Sequence, residues 1–271
     1  MDARPVGVFD SGVGGLTVFR ALAAALPDEA LVYLGDTARV PYGPKSPETV
    51  RRYAREASRF LRRQDVKMMV VACNTVSSVA MEAMEEGAGV PVVGVILPGA
   101  QRAVEASRRG RIGVIGTRAT VASEAYARAI HALRPAAEVV SRACPLLVPL
   151  AEEGWTDNAV ARQVADTYLA PLRDAGVDTL VLGCTHYPLL RGVLQETMGP
   201  EVALVDSAES VAQEVRRRLA SDRRLAHAPG TTPPRFFVTD VPGPFLDVAQ
   251  RFLGEPVVHL ERAELEGAPA W

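Results

Sequence analysis
The chain has 271 residues, 48% of them hydrophobic, with 30 Lys and Arg against 32 Asp and Glu and a formal net charge of -2. That composition suits a globular protein long enough for two ordinary domains, and it holds no excess of charge for gripping nucleic acid or anionic lipid. No segment offers the roughly 18 uncharged apolar residues that span a bilayer, and "MDARPVGVFD" lacks the flank and core of a signal peptide, so a cytoplasmic location without a membrane partner is expected.

In chain order, the apolar runs that read as strands are "PVGVFD", "ALVYLGD", "VKMMVVACN", "VPVVGVI", "RIGVIGT", "AEVVSRAC", "VDTLVLGC" and "VALVDS", and several are separated by helix-like stretches rich in Ala, Leu, Arg and Glu. Such alternation predicts parallel sheets in an α/β fold. A run such as residues 177–182, with almost no polar alternation, reads as a strand buried on both faces.

Between the strands, "FDSGVGG" sets Asp10 and Ser11 ahead of Gly12, Gly14 and Gly15. This is either a strand-to-helix turn with Asp10 as its cap or a cradle for a small anion, and its G-x-G-G spacing is not the dinucleotide fingerprint. Pro41, Tyr42, Gly43 and Pro44 compose a turn, and Ser46 with Glu48 and Thr49 starts a helix. Cys73 ends a strand, with Asn74 or Thr75 as the expected N-cap of the next helix; a thiol so placed has its pKa drawn from about 8.5 toward neutrality. "VILPGA", residues 95–100, reads as a linker. After residue 210 come a helix at 211–219, a loop at 229–234, the strand "RFFVTD", a helix near 245–252 and a short "PVVHL", a tail whose place periodicity leaves open. The arginine pairs at 51–52, 62–63, 108–109 and 223–224, with the triplet at 216–218, read as solvated helix faces.

The chain repeats itself. "GVFDSG" from Gly7 matches "GVIGTR" from Gly113, 106 residues on, and "MMVVACNT" matches "TLVLGCTH", with Cys73 and Cys184 111 residues apart. Two related domains facing each other would present these cysteines from opposite sides of a cleft, which suits proton transfer at two mirror-related faces better than a single nucleophile. Asp10 has no acidic counterpart in the second half, where Gly116 and Thr117 stand, so the cleft is symmetric in sulfur and polarised in charge. Cys144 reads as a buried small residue. Three cysteines without a C-x-x-C pair argue against disulfides or structural zinc, and His131, His186, His227 and His259 are scattered, so no metal is expected. The only lysines, Lys45 in a Pro/Gly loop and Lys67 at the amino end of a strand, are poor candidates for a pyridoxal Schiff base.

Together "FDSGVGG" (9–15), "YLGDTARVPYG" (33–43), "ACNTVSS" (72–78), "CPLLVPLAEEG" (144–154) and "GCTHYPLL" (183–190) resemble, in order and over nearly the whole chain, the cofactor-independent glutamate racemases of the aspartate/glutamate racemase superfamily. The resemblance implies two similar, pseudo-twofold-related α/β domains with mainly parallel sheets, at 1–97 plus 211–271 and at 98–210, with the active site in the cleft between them and no cofactor. It implies that Cys184 takes the proton from L-glutamate and Cys73 delivers one to the other face, with Asp10 assisting Cys73 and His186 assisting Cys184 through Glu152 or its neighbour Glu153. Substrate contacts are expected from Asp10, Ser11, Tyr42, Gly43, Asn74, Thr75, Thr185 and His186, with Thr117 a further candidate. The D-glutamate would supply peptidoglycan, hinge motion would close the cleft, and a homodimer is an open assembly. The competing readings are a racemase of another acidic amino acid such as aspartate, a thiol hydrolase or transferase using Cys184 with His186, and a non-catalytic amino-acid-binding module.

Overall fold
The computed structural model describes residues 2–226, 233–241 and 245–265; His227 and residues 229–232 of the expected loop lie outside the described residues. The first half runs β1 (Val6–Asp10), α1 (Leu16–Ala25), β2 (Leu31–Gly35), α2 (Pro47–Arg63), β3 (Met68–Val71), α3 (Asn74–Val79), α4 (Met81–Glu85) and β4 (Val92–Gly94). The second runs α5 (Ile96–Ala106), β5 (Arg111–Gly116), α6 (Arg118–Ala122), α7 (Ala125–Leu133), β6 (Glu138–Ala143), α8 (Leu147–Glu152), α9 (Ala159–Asp174), β7 (Thr179–Gly183), α10 (Arg191–Met198) and β8 (Ala203–Asp206). The tail adds α11 (Ser207–Ser221), β9 (Arg235–Val238), α12 (Phe245–Leu253) and β10 (Leu260–Arg262). All eight expected strands of the two halves are present.

Their pairing is parallel throughout, in two sheets ordered β10-β9-β2-β1-β3-β4 and β6-β5-β7-β8. The order β2-β1-β3-β4 recurs as β6-β5-β7-β8, so the sequence repeat is a repeat of topology. Register agrees: Gly7 lies opposite Met69, and Gly113 opposite Leu180. Strands β1, β2, β3 and β7 are buried along their whole length, as sheets covered by helices on both faces require. The edge strand β6 is only partly covered and carries Ser141 and Arg142 toward solvent.

The expected linker at 95–100 is instead the start of α5. Pro98 falls in the first turn, where a backbone N–H has no helical acceptor to lose, so the ring is tolerated. Gly99 is there because the Tyr126 ring lies against it: a Cβ would stand 3.2 Å from Tyr126 Cε1. Ser46 starts α2 as expected, accepting from the Thr49 N–H at 3.3 Å. The tail returns to the first sheet, where β9 pairs with β2 and β10 with β9. Its helix α11 is longer than the expected 211–219 because Asp206 caps it, accepting from the Ala208 N–H at 3.1 Å. Of "PVVHL" only Leu260 is in β10, since His259, at φ +55, interrupts the extended chain just before it.

Lys67 is fully buried at the amino end of β3, away from both cysteines. Its Nζ meets Glu29 Oε2 at 2.5 Å and donates to the Asp2 and Arg224 carbonyls at 2.7 and 2.8 Å. This pairing ties the N-terminus and the segment after α11 to the first sheet. Among the described residues no helix is long and apolar enough to cross a membrane. Lys67→Ala leaves the Glu29 carboxylate buried without its cation and is expected to destabilise the fold by about 3–5 kcal/mol in denaturant titration; a loss under about 1 kcal/mol would contradict the pairing.

Candidate active site
Because β1 pairs with β3, the carboxyl ends of these strands bring Asp10 and Ser11 next to Cys73, and the Cys73 thiol donates to Ser11 Oγ at 3.4 Å. Cys73 itself is the N-cap of α3, with Asn74 and Thr75 inside the first turn, so the expectation that one of these residues caps the helix is corrected. The expected fall of the thiol pKa is also overturned. Burial, followed by the charge of Asp10, pushes Cys73 from 9.0 up to about 12, and the Ser11 hydroxyl and Val76 N–H only partly oppose this. A six-residue helix supplies too little field to offset a 5% exposed thiol beside a carboxylate.

Asp10 ends β1 almost wholly buried. Its Oδ2 accepts the Gly12 N–H at 2.9 Å, making it the turn cap, while Oδ1 has no partner among the described residues. Burial raises its pKa, against the charge of His186 and the N–H groups of Gly12, Gly15 and Ser11. Gly15 is required here, since a Cβ would stand 2.4 Å from Asp10 Cβ.

At the equivalent end of β7, Cys184 Sγ lies 3.8 Å from His186 Nδ1, and His186 Nε2 lies 2.9 Å from Glu152 Oε1. Of the two adjacent acids the geometry selects Glu152; Glu153 lines a surface hollow with Arg251. Burial would lower the His186 pKa, but its bonds to Cys184 and Glu152 outweigh burial and take it from 6.5 up to about 10. Helix α12 supports this assembly from behind. Phe252 meets the His186 ring edge-on at 5.0 Å, and Arg251 Nη1 donates to the Glu152 carbonyl at 2.6 Å.

The two halves touch around these groups. A Cβ on Gly14 would stand 2.3 Å from Thr185 Oγ1 and 2.5 Å from His186 Nδ1, so this backbone lies directly on the second half. Thr17 Oγ1 donates to the Thr185 carbonyl at 3.3 Å, and Thr75 and Thr117 join through their hydroxyls at 3.0 Å. The Ala119 N–H donates to the Gly43 carbonyl at 3.3 Å. The Tyr42 side chain is buried and its hydroxyl is bonded to Asp36, which leaves the backbone of this turn, rather than the phenol, as its polar surface toward the cleft. Cys144 is buried, and its carbonyl accepts from the Tyr187 hydroxyl at 2.9 Å.

Sequence reasoning passed over Asp36, Tyr126, Arg251 and Phe252. Asp36 stands inside a quoted motif; the other three carry no local signal, because each acts on a residue far away in the chain.

Residues 8–215 match the Asp/Glu/Hydantoin racemase family. A glutamate racemase of Geobacter metallireducens is 56% identical over 266 residues, spanning 98% of this chain and 98% of that relative. The chain belongs to the glutamate racemase family. Among solved members, glutamate racemase from Francisella tularensis in complex with D-glutamate is 38% identical with a TM-score of 0.93, covering 99% of this chain and 100% of that one. The Thermus thermophilus glutamate racemase, in complex with beta-chloro-D-alanine, is 48% identical with a TM-score of 0.87, covering 98% and 99%.

Gly14→Ala would force Thr185 and His186 away from the first half. A displacement of about 1 Å costs on the order of a hundredfold in turnover, so racemase activity should fall by about that factor with the circular dichroism spectrum retained; near-normal turnover would show that the close approach is not needed. The raised His186 pKa also sets a pH dependence. The folded value lies above the ordinary one, so its stabilisation is complete below pH 6.5, declines as the pH rises, and is gone above about 10. The melting temperature should therefore fall more steeply across that window in the native protein than in His186→Gln, and parallel profiles would refute the assignment.

Proposed function
We propose that this chain interconverts L- and D-glutamate by two-base proton transfer, Cys184 removing the Cα proton of L-glutamate while Cys73 protonates the opposite face, with the roles exchanged for D-glutamate. The single observation that carries the reading is the equivalent placement of the two cysteines, each at the end of the third strand of its half and each with its own helper. Membership of the family supplies the substrate class, and the D-glutamate bound to the Francisella tularensis relative supports it.

The helpers divide the work by charge. His186, held by Glu152, lies beside Cys184, whereas burial and then the charge of Asp10 keep the proton on Cys73. Cys73 is thereby suited to act as the acid toward L-glutamate, and Cys184, with His186 beside it, is assigned the base. The substrate ammonium would meet Asp10 Oδ1, and N–H donors at Asn74, Thr75 and Thr185 would take the carboxylates. Donors whose bonds strengthen as negative charge moves from Cα onto the α-carboxylate lower the barrier without an electron-sink cofactor. Ser11, Tyr42 and Gly43 complete the assigned contacts, the last two through their backbone.

The same reading assigns the domains to 1–97 with 211–271 and to 98–210, supported by the return of β9 and β10 to the first sheet. It places the reaction in the cytoplasm, where D-glutamate would feed peptidoglycan synthesis. Exposed Leu97 and Leu133 beside one surface cavity would give a homodimer apolar area to cover, and sedimentation velocity measures that assembly directly.

In deuterated water, L-glutamate should yield D-glutamate carrying deuterium at Cα before the remaining L-glutamate exchanges. Equal early labelling of both enantiomers would point to one shared base, and turnover of aspartate alone would replace the substrate. Cys73→Ala and Cys184→Ala should each lose at least about 10³-fold in racemisation; an active Cys73→Ala protein would favour a Cys184–His186 hydrolase or transferase.

A further inference from the structure
Asn74 holds a buried donor that the fold does not use. It is 2% exposed, its Oδ1 accepts a 2.7 Å hydrogen bond from the Tyr126 hydroxyl, and its Nδ2 has no partner among the described residues. Asn74 opens α3 in the first half and Tyr126 belongs to α7 in the second, so this bond crosses between the halves.

The phenol is itself closely placed. Tyr126 is 2% exposed, and a Cβ on either Gly99 or Gly183 would come within 3.2 Å of its ring, so two glycines make the slot it fills. Gly183 directly precedes Cys184. Burial raises the phenol pKa, which keeps its proton in place. A carboxamide facing a donor must present its oxygen; because the amide is planar, the NH2 then points the other way.

We propose that Tyr126 is a positioning residue for racemisation: from the second half it fixes the Asn74 carboxamide of the first, so that Nδ2 is presented to a carboxylate of glutamate. This rests on the racemase reading above. An N–H donor serves only an acceptor, and the acceptors of glutamate are its carboxylates. Since the holding and held residues lie in different halves, the donor is aimed only while the halves are closed on each other, which ties substrate binding to closure. The two glycines and the unused buried donor then share one explanation.

The test is a double-mutant cycle in the full-length protein. Tyr126→Phe retains the ring and removes only the hydroxyl, and is expected to lower kcat/KM by about tenfold, the scale of one hydrogen bond to a charged group. Asn74→Ala should lose at least as much, and adding Tyr126→Phe to it should cost nothing further. The same loss in both backgrounds, or full kcat/KM in Tyr126→Phe, overturns the proposal. A second measurement needs no phenol variant: the Asn74 side-chain amide resonances, identified by their disappearance in Asn74→Ala, should shift when D-glutamate is added to the native protein. Unchanged resonances at saturation also overturn it. Failure of the racemase reading is separately visible, as an absence of glutamate turnover by the native protein in the same assay.

Discussion
The backbone of Gly14 lies so close to Thr185 and His186 that no side chain fits between them, and this approach of one half to the other conditions the whole centre. It buries Cys73, Cys184, Asp10 and His186 together. In such a place charges act through little water, so burial and the charge of Asp10 together hold the proton on Cys73. The glycines of the first turn follow from the same demand: Gly14 admits the second half, and Gly15 admits Asp10.

A duplicated scaffold would ordinarily give duplicated chemistry, yet the two thiols have unlike neighbours. The scaffold repeats the strand order and the cysteine, while the turn after the first strand differs: Asp10 and Ser11 in one half, Gly116 and Thr117 in the other. Beside Cys184 the variation is His186, held by Glu152 across the cleft side of α8. The substrate has an ammonium on one side of its reacting carbon and carboxylates on others, so a centre of uniform charge would repel part of it. Repetition supplies the geometry of two faces, and local substitution supplies the polarity.

The tail links these parts. Strand β9 extends the first sheet and brings Thr239, whose hydroxyl donates to Asp36 at 2.8 Å, to the carboxylate that also takes the Tyr42 hydroxyl. Helix α12 then reaches the second half, with Phe252 on His186 and Arg251 on the Glu152 carbonyl. One segment thus braces the Tyr42–Gly43 turn and the histidine assembly, which explains why a chain with two complete α/β halves continues for some sixty residues beyond residue 210.

Much of this was legible in the order of residues. The apolar runs mark the eight strands of the halves because a strand buried on both faces tolerates few polar residues, and the repeat identifies Cys73 and Cys184 as equivalent because strand, thiol and polar turn recur together. Other features were not legible. The Pro98–Gly99 pair reads as a break, yet lies in a helix, because the first turn has no hydrogen bond for proline to remove and the glycine accommodates a ring from α7. The Cys73 pKa reads as lowered from its helix, yet burial and Asp10 raise it, and both arise only when distant segments converge. The choice of Glu152 over Glu153, and the parts played by Tyr126 and Phe252, likewise depend on contacts across 34 to 66 residues of chain. Periodicity and local motifs reflect the neighbours a residue has along the chain, which suffices for strands, helices and the sulfurs at their ends; protonation and aim are set by neighbours in space, and those exist only once the two halves have closed on each other.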